Sequence, residues 1–119
     1  MRFFKRRITT SLVLATSFAA ISACSNSVPS CGDKKTTDVA IAITKRELTK
    51  QIGAATVQSI QFRVTDIRTT NKNEKTGAYK CAASMEFAGQ VKTDTVPIWY
   101  TVEATDSGDF YVNLSEEPI

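Results

Sequence analysis

Histidine is missing from all 119 residues of the chain. That excludes Ser-His-Asp and Cys-His catalysis and removes the commonest zinc ligand. A long hydrophobic run is missing too. The most apolar stretch, Ile8 to Ile21, is 14 residues without a charge. At 1.5 Å per residue it spans only ~21 Å, short of the ~30 Å hydrocarbon core of a bilayer. A permanent transmembrane helix is the poorer reading. A basic excess is the third absence. The formal charge is +3, but Arg2, Lys5, Arg6 and Arg7 all precede that apolar run. From Cys24 onward, 11 Lys and Arg stand against 12 Asp and Glu, a net charge of −1. A nucleic-acid binder neutralises phosphates with a basic face, so no nucleic-acid partner is expected. No internal repeat is visible, and no second domain is expected.

Residues 1–23 carry the ordered parts of a secretory signal peptide: a basic stretch to Arg7, then an apolar core through Leu12, Val13, Leu14, Ala15 and Phe18. The run closes on Ile21-Ser22-Ala23-Cys24. This resembles the lipobox of bacterial lipoproteins, an aliphatic residue and two small residues ahead of a cysteine. The resemblance implies that Cys24 is acylated with palmitate-type chains and becomes the new N-terminus, giving a membrane anchor. Ser25, where an Asp would mark retention in the inner membrane, implies the outer membrane, facing the periplasm. The competing reading is an ordinary signal peptide with a cysteine after its cleavage site.

With Cys24 given to lipid, Cys31 and Cys81 remain. In an oxidising compartment an even remainder reads as one disulfide, with Cα atoms within about 7 Å. A loop of this length gives a stabilisation of ~4 kcal/mol by chain entropy. The alternative is a buried free Cys81 and an exposed Cys31. Two thiols without histidine are a poor ligand set, so neither a metal nor a cofactor is expected. Residues 24–36, rich in Ser, Asn, Pro, Gly and Lys, read as a tether. A bridge at Cys31 would leave about seven free residues, a reach of ~23 Å.

Residues 37–119 read as one α+β domain. Thr36-Thr37-Asp38 offers caps for a helix over 37–52, with Ile41, Leu48, Ile52 and Ala55 as its apolar stripe and Gly53 as its stop. The rival is a short strand at 39–43 and a helix opened by a Thr44-x-x-Glu47 box. After Gly53 the period changes to two. Ile60, Phe62 and Val64 alternate with polar residues, as do Tyr79 to Phe87, Val96 to Val102, and Phe110 to Leu114. Polar turns at 71–77, 89–95 and 106–109 separate them. One helix and an antiparallel four-stranded meander are expected. By element order over residues 37–115 this is similar to cystatin-like and NTF2-like domains, which implies a curved sheet around a helix.

Carboxylate pairs exist at Asp106 with Asp109 and at Glu116 with Glu117, in a turn and a tail, where solvated charge is the ordinary outcome. Asn71 to Glu74 lacks the ligand alternation of a calcium loop. An enzyme is not expected. The sheet face turned from the helix would instead carry Gln61, Arg63, Lys80, Ser84, Glu86, Trp99, Thr101, Tyr111 and Asn113. Amphipathic aromatics among polar groups are typical interface anchors. Trp99 and Tyr111, with Arg63 and Glu86, are therefore the candidate partner-binding residues. The alternatives are packing under a loop or a homodimer through the same face. The expected function is a non-catalytic protein-binding lipoprotein meeting an envelope protein: an accessory subunit, inhibitor, immunity or exclusion factor. The alternative is a ligand carrier or enzyme using a pocket between helix and sheet.

Overall fold

The computed structural model describes residues 28–119. The expected signal peptide over residues 1–23, the expected lipidation site Cys24, and Ser25 lie outside the described residues. Asp33 opens the long helix, its carboxylate accepting a 2.9 Å hydrogen bond from the Lys35 amide. Helix α1 then runs Lys34–Ile52. It is one continuous helix, as expected, but it starts a turn earlier than residue 37. Thr36 is fully buried rather than capping, and its hydroxyl donates to the Ser30 carbonyl at 2.8 Å. A buried hydroxyl is tolerated because that bond satisfies it.

The stripe that faces the sheet keeps Ile41 and Leu48 of the expected set but not Ile52 and Ala55. Thr36 and Ala40 are buried, and Ile43, Thr44 and Leu48 are half-buried, a spacing near four. Ile52 is 45% exposed and Ala55 is exposed. Gly53 ends α1 with φ at 89°, a conformation that favours glycine, and its amide donates to the Thr49 carbonyl. That turn breaks the axis, so residues beyond it leave the stripe. They form a short helix α2, Ala54–Gln58, which buries Val57 alone.

Four strands follow: β1 Gln61–Lys72, β2 Tyr79–Ala88, β3 Thr93–Ala104 and β4 Phe110–Ser115. They pair antiparallel in sequence order, the expected meander. β1 is much longer than its apolar alternation suggested, because an irregularity lets it continue past Thr65. The first hairpin turn is set by Asn73, whose side-chain oxygen accepts from the amides of Lys75 and Thr76.

The core joins Met85, Ala83 and Cys81 of β2 to Ile98, Tyr100 and Val102 of β3 and Val112 of β4. Phe62 and Phe87 meet edge to face over its margin, with centroids 5.4 Å apart. Cys31 and Cys81 form a disulfide with Cα atoms 5.8 Å apart, within the expected limit. It ties the chain just before α1 to the middle of the sheet. Val28 packs against the same cluster, so the ordered fold begins well before residue 37. Among the described residues no helix is long and apolar enough to cross a membrane.

Candidate partner-binding face

Alternation along each strand assigns the two faces, and the register locks the strands together. On the helix side lie Cys81, Ala83 and Met85, with Ile98, Tyr100 and Val102. On the other side, reading across the strands, Arg63 pairs with Glu86 and Glu86 with Thr95. Farther along, Arg68 pairs with Ala82, Ala82 with Trp99 and Trp99 with Ser115. The next row is Asn71, Lys80, Thr101 and Asn113, and beyond it Glu103 pairs with Tyr111. No described helix lies over this face; α1 meets the sheet on its other side.

Arg68 reaches the outer face through a bulge. Phe62 and Val64 point inward, and strict alternation would send the carboxylate of Asp66 inward after them. The register shifts between Thr65 and Arg68, and Asp66 takes φ of 52°, in the left-handed region. Asp66 is exposed, Ile67 packs on the core in its place, and Arg68 comes to stand opposite Ala82. The Arg68 guanidinium donates from Nη1 to the Asp66 carbonyl at 3.0 Å, bracing the bulge. Sequence alternation puts Ala82 on this face with Lys80 and Ser84, but not Arg68. The available signal was the charged Asp66 falling at an inward position.

All four candidate residues are on the outer face, but they do not form one cluster. Trp99 is half-buried at its centre. Tyr111 is 43% exposed, and its hydroxyl donates to Glu103 Oε1 at 2.8 Å. The bond to that carboxylate and its charge hold the phenol above its ordinary pKa. Arg63 Nε lies 2.8 Å from Glu86 Oε1, an exposed cross-strand ion pair. Glu86 is four positions along β2 from Ala82, the partner of Trp99. Glu103 is four along β3 in the other direction. Each step is ~13 Å at strand rise, so the three features are spread along the sheet with Trp99 between the others.

Two cavities flank this arrangement. A polar cleft of about 380 Å³ sits at the hairpin end of the outer face, lined by Asn71, Asn73, Lys80, Thr101 and Glu103 among others. The Thr101 hydroxyl oxygen there is buried without a hydrogen-bond partner among the described residues. On the inner side an apolar groove of about 430 Å³ opens between the C-terminal half of α1 and the sheet, against Leu48, Met85, Phe87, Val96, Ile98 and Leu114. Its polar lining is Thr44, Glu47, Gln51, and Glu116 near the C-terminus. Among the described residues no group of three His, Cys, Asp or Glu side chains is placed to hold a metal ion. No family pattern, curated protein or solved structure matches this chain.

Proposed function

We propose that the protein is a lipoprotein anchored through Cys24 at the outer membrane, facing the periplasm, and that it acts there as a non-catalytic protein-binding module. Accessory subunit, inhibitor, immunity factor and exclusion factor all use this mechanism, occupation of an envelope protein. The domain reads by element order as cystatin-like or NTF2-like, and its sheet supplies the binding surface. One observation carries the reading: a sheet face that no described helix covers places a half-buried tryptophan at its centre, among polar and charged side chains. A rigid ladder presents such an anchor at little entropic cost.

The path of the chain supports work close to the membrane. Val28 lies beside the first hairpin turn, where a Cβ at Gly77 would stand 3.8 Å from its Cγ2. Four residue steps separate Cys24 from Val28, a reach of ~13 Å when fully extended. Acylation at Cys24 would therefore hold the β1–β2 turn near the bilayer, with the sheet rising away from it. Trp99 would meet a partner that projects only a short distance from the membrane.

The apolar groove under α1 is what favours the second reading, a small-ligand carrier. It offers apolar surface without convergent polar groups, whereas ligand sites use a few placed polar groups to fix orientation. The binding module is the better account. The test is capture of envelope proteins from detergent-solubilised membranes by the full chain and by Trp99→Ala. Loss of a buried aromatic anchor costs ~2 kcal/mol or more, about thirtyfold in affinity, with the fold retained. Unfolding of the variant, with unchanged capture by its folded fraction, would show Trp99 to be structural only.

A further inference from the structure

We infer that the partner meets Trp99 through an acidic segment, and that Arg68 and Lys80 hold it; this rests on the reading of the outer face as a protein-docking surface. Arg68 and Trp99 flank Ala82 in one row of the sheet. Lys80 is opposite Thr101, and therefore diagonal to Trp99, at a Cα spacing of ~7–8 Å. Ala82 is only 4% exposed although no described helix covers it, so its bulkier neighbours in the ladder close over it. The register thus sets an indole and two long cationic residues around the centre of the face.

The charges on this face are unevenly spent. It carries Arg63, Arg68 and Lys80 against Glu86 and Glu103. Glu86 is taken by Arg63 and Glu103 receives the Tyr111 hydroxyl. Among the described residues the ion pairs are Lys34–Asp38, Lys50–Glu47, Arg63–Glu86 and Lys92–Asp94, and neither Arg68 nor Lys80 belongs to one. Both are exposed. The two cations beside Trp99 are therefore the ones without an ion-pair partner, while Glu103 keeps its charge four positions along β3 and the exposed Asp66 stands in the bulge. Opposite charge on a partner gains attraction and sets orientation, while a basic segment is repelled.

Trp99 is the chain's single tryptophan, so its fluorescence reports on this spot alone. The full chain in non-ionic detergent is titrated with a short blocked peptide of glutamate and serine around one leucine. The counterpart carries lysine for glutamate, and vesicles of phosphatidylglycerol are titrated separately. A saturable change in Trp99 emission is expected with the glutamate peptide, weakening as salt rises, and none with the lysine peptide. Arg68→Gln with Lys80→Gln should weaken that binding about tenfold, within the range that two exposed ion pairs supply. Silence with both peptides, an equal response to both, or unchanged affinity in the double variant would overturn the inference. A response to vesicles without one to the glutamate peptide would also overturn it, assigning the patch to a lipid surface. Partner capture separates the two levels of argument. Loss with Trp99→Ala but not with Arg68→Gln and Lys80→Gln keeps the docking face and rejects the acidic segment.

Discussion

The Tyr100 hydroxyl donates a 2.9 Å hydrogen bond to the carbonyl of Cys31, 69 residues earlier in the chain. Tyr100 is 0% exposed, and the Cys31 carbonyl it meets belongs to the residue bridged to Cys81 beside it. One phenol therefore closes the same junction as the disulfide, between the entry to α1 and the centre of the sheet. Tyr100→Phe keeps the ring and leaves the carbonyl without its donor. A buried unsatisfied acceptor costs ~1–3 kcal/mol, which thermal or urea unfolding should register as a lower midpoint. An unchanged midpoint would mean that water replaces the phenol there.

The same residue gives an alkaline signature. Burial pushes its pKa from 10.0 up to about 12. The folded state holds the phenolic proton more tightly than the unfolded chain does, so its contribution is fully present below pH 10. As pH rises from 10 to 12 the unfolded chain ionises first, and stability falls through that window. Tyr100→Phe should remove this part of the alkaline slope while leaving the rest. Identical slopes in the two proteins would show that Tyr100 ionises freely in the fold.

Cys31 and Cys81 are 1% and 0% exposed, so a reductant has no direct path to their bridge. Reduction under native conditions should proceed at the rate at which the domain opens, and should accelerate with urea as unfolding does. Cys81→Ser should lower stability by up to ~4 kcal/mol, the chain-entropy value for a loop of this length. Rapid reduction of the folded protein, independent of urea, would mean that the junction opens locally.

Asp66 shows why the sheet was legible in sequence and its outer face only partly so. Alternation of apolar residues identified all four strands and their order, because burial of one face leaves a period of two in the chain. Asp66 interrupts that period, and β1 reads as ending where in fact it bulges and continues. Arg68 was hidden for that reason. Similarly, the start of α1 was misplaced because Thr36 has the chemistry of a cap, and burial beside Ser30 used its hydroxyl differently. Local residue types suggest caps and turns; which of them is used depends on tertiary neighbours. The pairing of Cys31 with Cys81 is readable in the sequence once the lipobox resemblance sets Cys24 aside.

The bulge itself is open to test. Asp66 holds φ of 52°, where a side chain costs energy and glycine does not. Asp66→Gly should leave stability unchanged or raise it by up to ~1 kcal/mol, whereas Asp66→Val should lower it by ~1–2 kcal/mol or more. Equal stabilities for the two variants would place this residue in ordinary extended backbone and return Arg68 to the inner face.

Processing at the N-terminus is tested by Cys24→Ser. On the proposed lipidation, the variant should accumulate as unprocessed precursor without acyl label, and the parent chain should be shortened to Cys24 and carry the label. Intact mass of a mature chain that starts elsewhere, without lipid, would remove the anchor and with it the restriction to the membrane surface.

Trp99 and Tyr111 share a face, but the register sets them apart. Trp99 is opposite Ser115 and Tyr111 opposite Glu103, four positions along β3, or ~13 Å at strand rise. They have no hydrogen-bond partner in common, since Tyr111 gives its hydroxyl to Glu103. Sites separated by more than about 7–10 Å without shared partners contribute additively, within ~0.5 kcal/mol. Trp99→Ala should cost the larger share of partner affinity, because it is the half-buried central residue and Tyr111 is at the exposed end. Tyr111→Ala should cost less, and the double variant should equal the sum of the two. Affinity measured for all three proteins against the captured partner decides the matter. A double variant much less damaging than that sum would show the two rings serving one contact, and the partner's footprint would then have to bridge both ends of β4.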